Sequence, residues 1–229
     1  MIEDTLAQQI ISFNRQVQFN GELPEGYGVI NPFIDDQTTM AVMEQFYMKF
    51  YNDRQARKFL IGINPSRHGA GITGVPFTDT KRLESHCGIP VPGRHSHELS
   101  SVFIYDVIAA YGGAEAFYSR CFINSPFPLA LIKQSAMGRW VNVNYYDSRA
   151  LWSLLKPHMK VYLKRFSEFH IDPTEVIILG KKNALFIQEI NQELNLFKEI
   201  TVLEHPRFIQ QYRSRDRDAY ILKYLRAID

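Results

Sequence analysis

The chain has 229 residues, 45% of them apolar and 22% charged, enough for one buried core and unlike a disordered or fibrous polymer. With no run of 18 apolar residues and an acidic start, Met1-Ile2-Glu3-Asp4, it lacks the marks of a membrane span or an export signal, so a cytoplasmic single domain over residues 1–229 is expected. Two cysteines, Cys87 and Cys121, are too few for a disulfide framework or a four-thiolate cluster, and the net charge of +2 is uneven, with six Lys/Arg against three Asp from His205 onward and 20 against 21 before it.

Leu6, Ile10, Phe13 and Val17 recur at helical spacing behind Asp4-Thr5, and Met43, Phe46 and Phe50 do so behind Asp36 and Thr38. Two helices are therefore expected ahead of the first strand. Between them, Gly21 to Asp36 carries Pro24, Gly26, Gly28 and Pro32 and reads as a loop wrapping the domain, so residues 1–57 form an N-terminal helical wrap.

Phe59 to Ile63 reads as a buried strand that runs straight into Gly-Ile-Asn-Pro-Ser-Arg-His-Gly-Ala-Gly-Ile-Thr-Gly-Val-Pro-Phe-Thr-Asp, residues 62–79. Gly69, Gly71 and Gly74 let the backbone approach a ligand, Pro65 and Pro76 stiffen the loop, and Asn64 and Phe77 offer one amide and one aromatic face. Those parts suit a planar base. Residues 69–74 also fit G-x-G-x-x-G, but Val75-Pro76-Phe77 follows where a helix should begin, which argues against a dinucleotide cofactor. His86, Cys87, His95 and His97 could be taken for zinc ligands, yet they surround the irregular Pro90-Val91-Pro92-Gly93 at a spacing that matches no standard metal pattern. A polar loop is the better reading.

Helical patterns at Leu99 to Ala110, Arg149 to Phe169 and Ala184 to Leu196 then alternate with apolar runs at Phe122 to Asn124, Val176 to Leu179 and Ile200 to Leu203. This predicts an α/β fold in three layers, with a central four-stranded parallel sheet inside residues 58–208. In such sheets ligands bind beyond the carboxyl ends of the strands. One rim should therefore gather the Asn64 loop, Asn124-Ser125-Pro126-Phe127-Pro128, Gly180-Lys181-Lys182 and His205-Pro206-Arg207-Phe208. Lys181 and Lys182 could form a Schiff base, although a lysine pair at a strand end more often meets phosphate or solvent. Residues 209–229 complete the chain as a basic turn, with Arg213 and Arg215, and a closing helix from Asp216 to Ile228.

The chain resembles the uracil-DNA glycosylase superfamily, and within it the single-strand-selective monofunctional (SMUG) type, bacterial second subgroup. The resemblance rests on Ile30-Asn31-Pro32-Phe33, the motif from Gly62 to Phe77, Ser96-His97-Glu98-Leu99-Ser100, Phe122-Ile123-Asn124 and His205-Pro206, and it spans about Val29 to Phe208. It implies a monomeric, monofunctional DNA glycosylase without metal or cofactor that flips uracil or another deaminated base from DNA and hydrolyses its bond to the sugar. Asn64 would orient the attacking water, Phe77 would stack on the base, Asn124 would read its polar edge, and His205 would stabilise the departing base. Gly62, Ile63, Pro65, His68, Gly74 and Ser125 would complete the pocket, while Arg207, Phe208, Arg213, Arg215, Lys181 and Lys182 would hold DNA.

Physical chemistry agrees with these roles. An amide accepts no proton near neutral pH, so Asn64 can position water but not activate it strongly, and the reaction must rely on a base that leaves readily as an anion. A donor fixed where that negative charge develops is worth ~3 kcal/mol. Asn124 would complement N3–H and O4 of uracil, whereas cytosine presents the reverse pair. Three departures from the family pattern stand out: Ser66 and His68 replace Gly and Phe, the Asn124 motif carries one extra residue, and Arg207-Phe208 replace Ser-Pro-Arg-Asn after His205-Pro206. His68 is accordingly expected near the substrate, widening the range to bases such as xanthine.

Overall fold

A computed structural model describes residues 4–229; the acidic start at residues 1–3 lies outside the described residues. Thr5 opens helix α1 (Leu6–Gln16) with a capping box to Gln8, and Asp36 caps α3 (Gln37–Phe50) through the amides of Thr38 and Thr39. Each helix buries the apolar stripe that its spacing predicted, and the two pack on one another.

The segment between them is not a plain loop. It holds strand β1 (Tyr27–Ile30) and a one-turn helix α2 (Pro32–Asp35), whose N-cap, Asn31, accepts from the Phe33 amide. Strand β1 pairs antiparallel with β4 (Ala130–Gln134), which pairs in turn with β5 (Trp140–Asn142), making a second sheet of three strands. Gly28 hides β1 among turn residues in sequence, but a Cβ there would press on the Ile132 side chain at 3.2 Å, so the glycine lets that neighbour lie close.

The main sheet is the expected one. Strands β2 (Arg57–Ile61), β3 (Cys121–Asn124), β6 (Ile171–Leu179) and β7 (Glu199–Leu203) run parallel in the order β3-β2-β6-β7. Helices α6 (Leu99–Ala110), α7 (Ala114–Arg120), α8 (Arg149–Ser167) and α9 (Lys181–Leu194) cover it, and Phe59, Leu60, Ile61, Phe122, Ile177 and Ile178 are buried at its centre. Two parts of the 86–97 loop are core rather than polar: Ile89 and Val91 are buried beside Cys87 at the end of α5 (Thr80–Cys87).

Past β7 come α10 (Pro206–Tyr212), a 3-10 turn (Ser214–Asp216) and α11 (Arg217–Ile228). The closing helix is anchored by Tyr224, fully buried, whose hydroxyl donates to the Glu204 carbonyl at 2.6 Å and so pins the residue before His205. Among the described residues no helix is long and apolar enough to cross a membrane.

Candidate active site

Strand β2 ends against β3, with the Gly62 amide donating to the Asn124 carbonyl at 2.8 Å, and the chain then turns across the carboxyl rim. Its turn is clamped from below by Asn183, buried at the start of α9, whose Nδ2 donates to the carbonyls of Ile61, Gly62 and Leu179 at 3.0–3.3 Å. The Asn183 carbonyl oxygen accepts from the Tyr145 hydroxyl.

Asn64 follows one residue later, its amide oriented by the loop after β5. Its Nδ2 donates to the Val143 carbonyl at 3.1 Å and to Pro65 at 3.3 Å, while its Oδ1 accepts from the Tyr145 amide at 3.2 Å. This leaves one lone pair of Oδ1 for a water molecule.

Phe77 sits at φ +52°, a left-handed conformation unusual for a bulky residue. The short helix α4 (Ala70–Thr73), closed by Gly74 at φ +69°, delivers the chain to that position. The Phe77 ring lies over Gly62, where a Cβ would come within 2.9 Å of it, and its centroid is 5.7 Å from the His205 ring. The missing side chain of Gly62 thus admits an aromatic platform.

His205 is the N-cap of α10, and its Nδ1 accepts from the Arg207 amide at 3.2 Å. The proton of the neutral ring is therefore on Nε2, which is left to donate. Burial, helped by the Arg207 charge, pulls the imidazole down to about 4, so His205 is neutral at physiological pH.

Asn64, Phe77, Ser125 and His205 line one narrow cleft, joined through Ile63, Asn64 and His205 to an outer cavity of about 270 Å³. Gly62 forms the floor under Phe77, and Ile63 and Pro65 line the walls. His68 lies on the outer cavity, not in the cleft, and its Nε2 accepts from Arg67 at 3.1 Å. Gly74 borders a smaller crevice that adjoins the cleft through Pro65, Ala70 and Pro76.

Asn124 lines that crevice with Asn14, Phe33 and Pro128, on the other side of the Pro65, Ala70 and Pro76 wall that the crevice shares with the cleft. Its Oδ1 accepts from the Ser125 amide at 2.7 Å. Ser125, just past the strand, lines the cleft itself, its hydroxyl oxygen 3.4 Å from where a Cβ on Gly62 would lie.

Of the residues expected at DNA, Lys181, Lys182, Phe208 and Arg213 line a neighbouring cavity of about 380 Å³ with Tyr146 and Tyr220, and Arg207 stands at the outer cavity. Lys182 lies 4.6 Å over the Tyr146 ring, and Lys181 faces Glu204 at 3.8 Å. Arg215 is exposed on the 3-10 turn and lines neither cavity.

Glu98 was given no role from sequence, although it lies in the Ser96 to Ser100 stretch. It reaches both cleft and outer cavity, accepts from the Ser66 hydroxyl at 2.7 Å, and has its backbone amide held by buried Asp79 at 2.9 Å. Burial, reinforced by the Asp79 charge, pushes its carboxyl up to about 7 against the Ser66 bond and Arg207. Its seat is built for it: a Cβ on Gly69 would fall 2.0 Å from Oε2.

The uracil DNA glycosylase superfamily profile matches residues 48–229. Among solved structures, SMUG2 from Pedobacter heparinus superposes with a TM-score of 0.95 at 44% identity, covering 97% of this chain and 96% of its own. No curated protein matches the sequence. The resemblance that rested on the Gly62–Phe77 motif and the His205-Pro206 pair is thereby borne out, and the chain is a DNA glycosylase that belongs to the uracil DNA glycosylase superfamily.

Proposed function

We propose that this protein is a monofunctional glycosylase that extrudes a deaminated base, uracil or xanthine, from DNA and hydrolyses its bond to the sugar. The observation that carries this reading is the shared cleft: an amide oxygen, a phenyl platform, a hydroxyl and a neutral imidazole come together from the 62–79 stretch and from the ends of β3 and β7. Phe77 stacks on the flipped base, Asn64 holds water on the far side of C1′, and His205 Nε2–H donates to the oxygen or nitrogen where negative charge gathers as the bond breaks. A neutral donor suits a base anion because it shifts no net charge into the buried site.

Ser125 sets the selectivity. An amide locked in place would impose the donor–acceptor pattern of uracil, whereas a hydroxyl rotates to donate or accept and tolerates several bases. His68 borders the outer cavity, where a purine larger than uracil would extend. Flipping costs about a few kcal/mol and less from single strands. Arg207, Arg213, Lys181 and Lys182 supply charge for the backbone and Phe208, 41% exposed, an apolar wedge. Both strand-end lysines lie outside the cleft that holds Asn64, which favours water over an amine as nucleophile.

Base release from oligonucleotides carrying uracil, xanthine or hypoxanthine, in single and double strands, tests this reading. Release of xanthine and uracil with no borohydride-trapped adduct is expected; a trapped adduct would show lyase chemistry instead. Binding without release from any lesion would make the protein a nucleic-acid-binding module that keeps a base pocket.

A further inference from the structure

Resting on the glycosylase reading, we infer that Glu98 is a proton-donating catalytic residue that protonates the departing base and recovers its proton from the attacking water. Among the described residues its side chain is the one carboxyl that reaches both the cleft with Asn64, Phe77 and His205 and the outer cavity. Three features hold it there: the Ser66 hydroxyl on Oε1, the Asp79 carboxylate on its backbone amide, and the bare Gly69 beneath Oε2. Among the described residues the hydrogen bond to the carboxyl goes to Oε1, and Oε2 rests against the bare backbone of Gly69 with its lone pairs unclaimed.

The chemistry closes without another reagent. The bond between C1′ and the base nitrogen breaks with its electron pair passing to the base, and the Glu98 proton moves onto that base. The water oxygen held by Asn64 bonds to C1′, and the proton it sheds restores the carboxyl, leaving a free base and an abasic sugar. Protonation of the leaving group matters most for purines, whose anions leave less readily than that of uracil, so the Glu98 acid suits deaminated purines such as xanthine and hypoxanthine.

The groups facing Glu98 are consistent with a carboxyl that keeps its proton up to near-neutral pH. Asp79, buried under its amide, adds like charge, and Arg82 and His97 pair with Asp79 rather than with Glu98. Arg207 from α10 is the cation that opposes protonation, while His68 and His205 border the same cavities, His205 as a neutral ring.

The test is the ratio of single-turnover excision rates of wild type to Glu98→Gln across pH 5 to 9 on one lesion, so that ionisation of the substrate and of shared groups cancels. Glutamine keeps the bond from Ser66 but has no proton to give. The ratio should be about 10²-fold below pH 7 and shrink steadily above it, and it should be larger for hypoxanthine than for uracil. A ratio that stays flat with pH, or a variant as fast as wild type at pH 6, overturns the role of Glu98 while leaving the glycosylase intact. Absence of base release by wild type would instead remove the underlying reading. Should Glu98→Gln fail to fold, Ser66→Ala decides: losing a bond that favours the carboxylate should move the alkaline fall in rate to higher pH, and an unmoved fall counts against the proposal.

Discussion

His205 spends Nδ1 on the Arg207 amide and is held neutral by burial, with an imidazole lowered to about 4. Because the folded value lies below the unfolded one near 6.5, the unfolded chain binds the extra proton between them, and the stability linked to this group is lost as pH falls from about 6.5 to 4. Catalysis follows the folded value. The excision rate should show no loss from imidazole protonation between pH 7 and 5, and a unit-slope decline starting near 6.5 in a pH–rate profile would contradict the assignment. Ser125 supports a second expectation: Ser125→Asn, by placing an amide in the cleft, should raise uracil excision relative to xanthine at least about tenfold, measured as a ratio of single-turnover rates. How the end of β3 meets the cleft was only half legible in sequence. A step of one residue along a strand exchanges the two faces, and nothing in Phe122-Ile123-Asn124-Ser125 shows that Ser125 lines the cleft while Asn124 lines the crevice beside it.

Among elements, the turn after β2 shows how the platform is made. Gly62 and Phe77 are fifteen positions apart, yet the ring occupies the space of a Cβ on that glycine, and Phe77 accepts a left-handed backbone to reach it. Gly62→Ala should displace the ring, lowering excision about tenfold or more while the melting temperature falls by a few degrees, as for about 1 kcal/mol in a domain of this size. Full activity in that variant would mean that the base stacks elsewhere. The four parallel strands and their helices were readable from apolar runs and helical spacing because buried parallel strands need continuous apolar residues. The antiparallel sheet was not: β1 carries a glycine between prolines, and β5 is three residues long and largely exposed, so neither shows a buried face in its pattern. That sheet matters, since the loop leaving β5 supplies Val143 and Tyr145 to orient Asn64.

Over the whole molecule the net charge is only +2, so on the reading proposed above DNA attraction falls to cations around the rim, drawn from the ends of β6 and β7 and from the basic turn. Lys182→Ala and Arg213→Ala should each weaken binding to single-stranded DNA and reduce the slope of log affinity against log salt by about one. Arg217 is tied to Asp106, so Arg217→Ala should leave that slope unchanged and cost stability instead. The central claim is that separate segments of one domain surround a single extruded base and make it leave. It is tested most directly by measuring free-base release and DNA binding together for wild type, Asn64→Ala and His205→Ala. Release should fall by about 10²-fold or more in each variant with binding within a few-fold of wild type, whereas release at the wild-type rate in both variants would contradict the account.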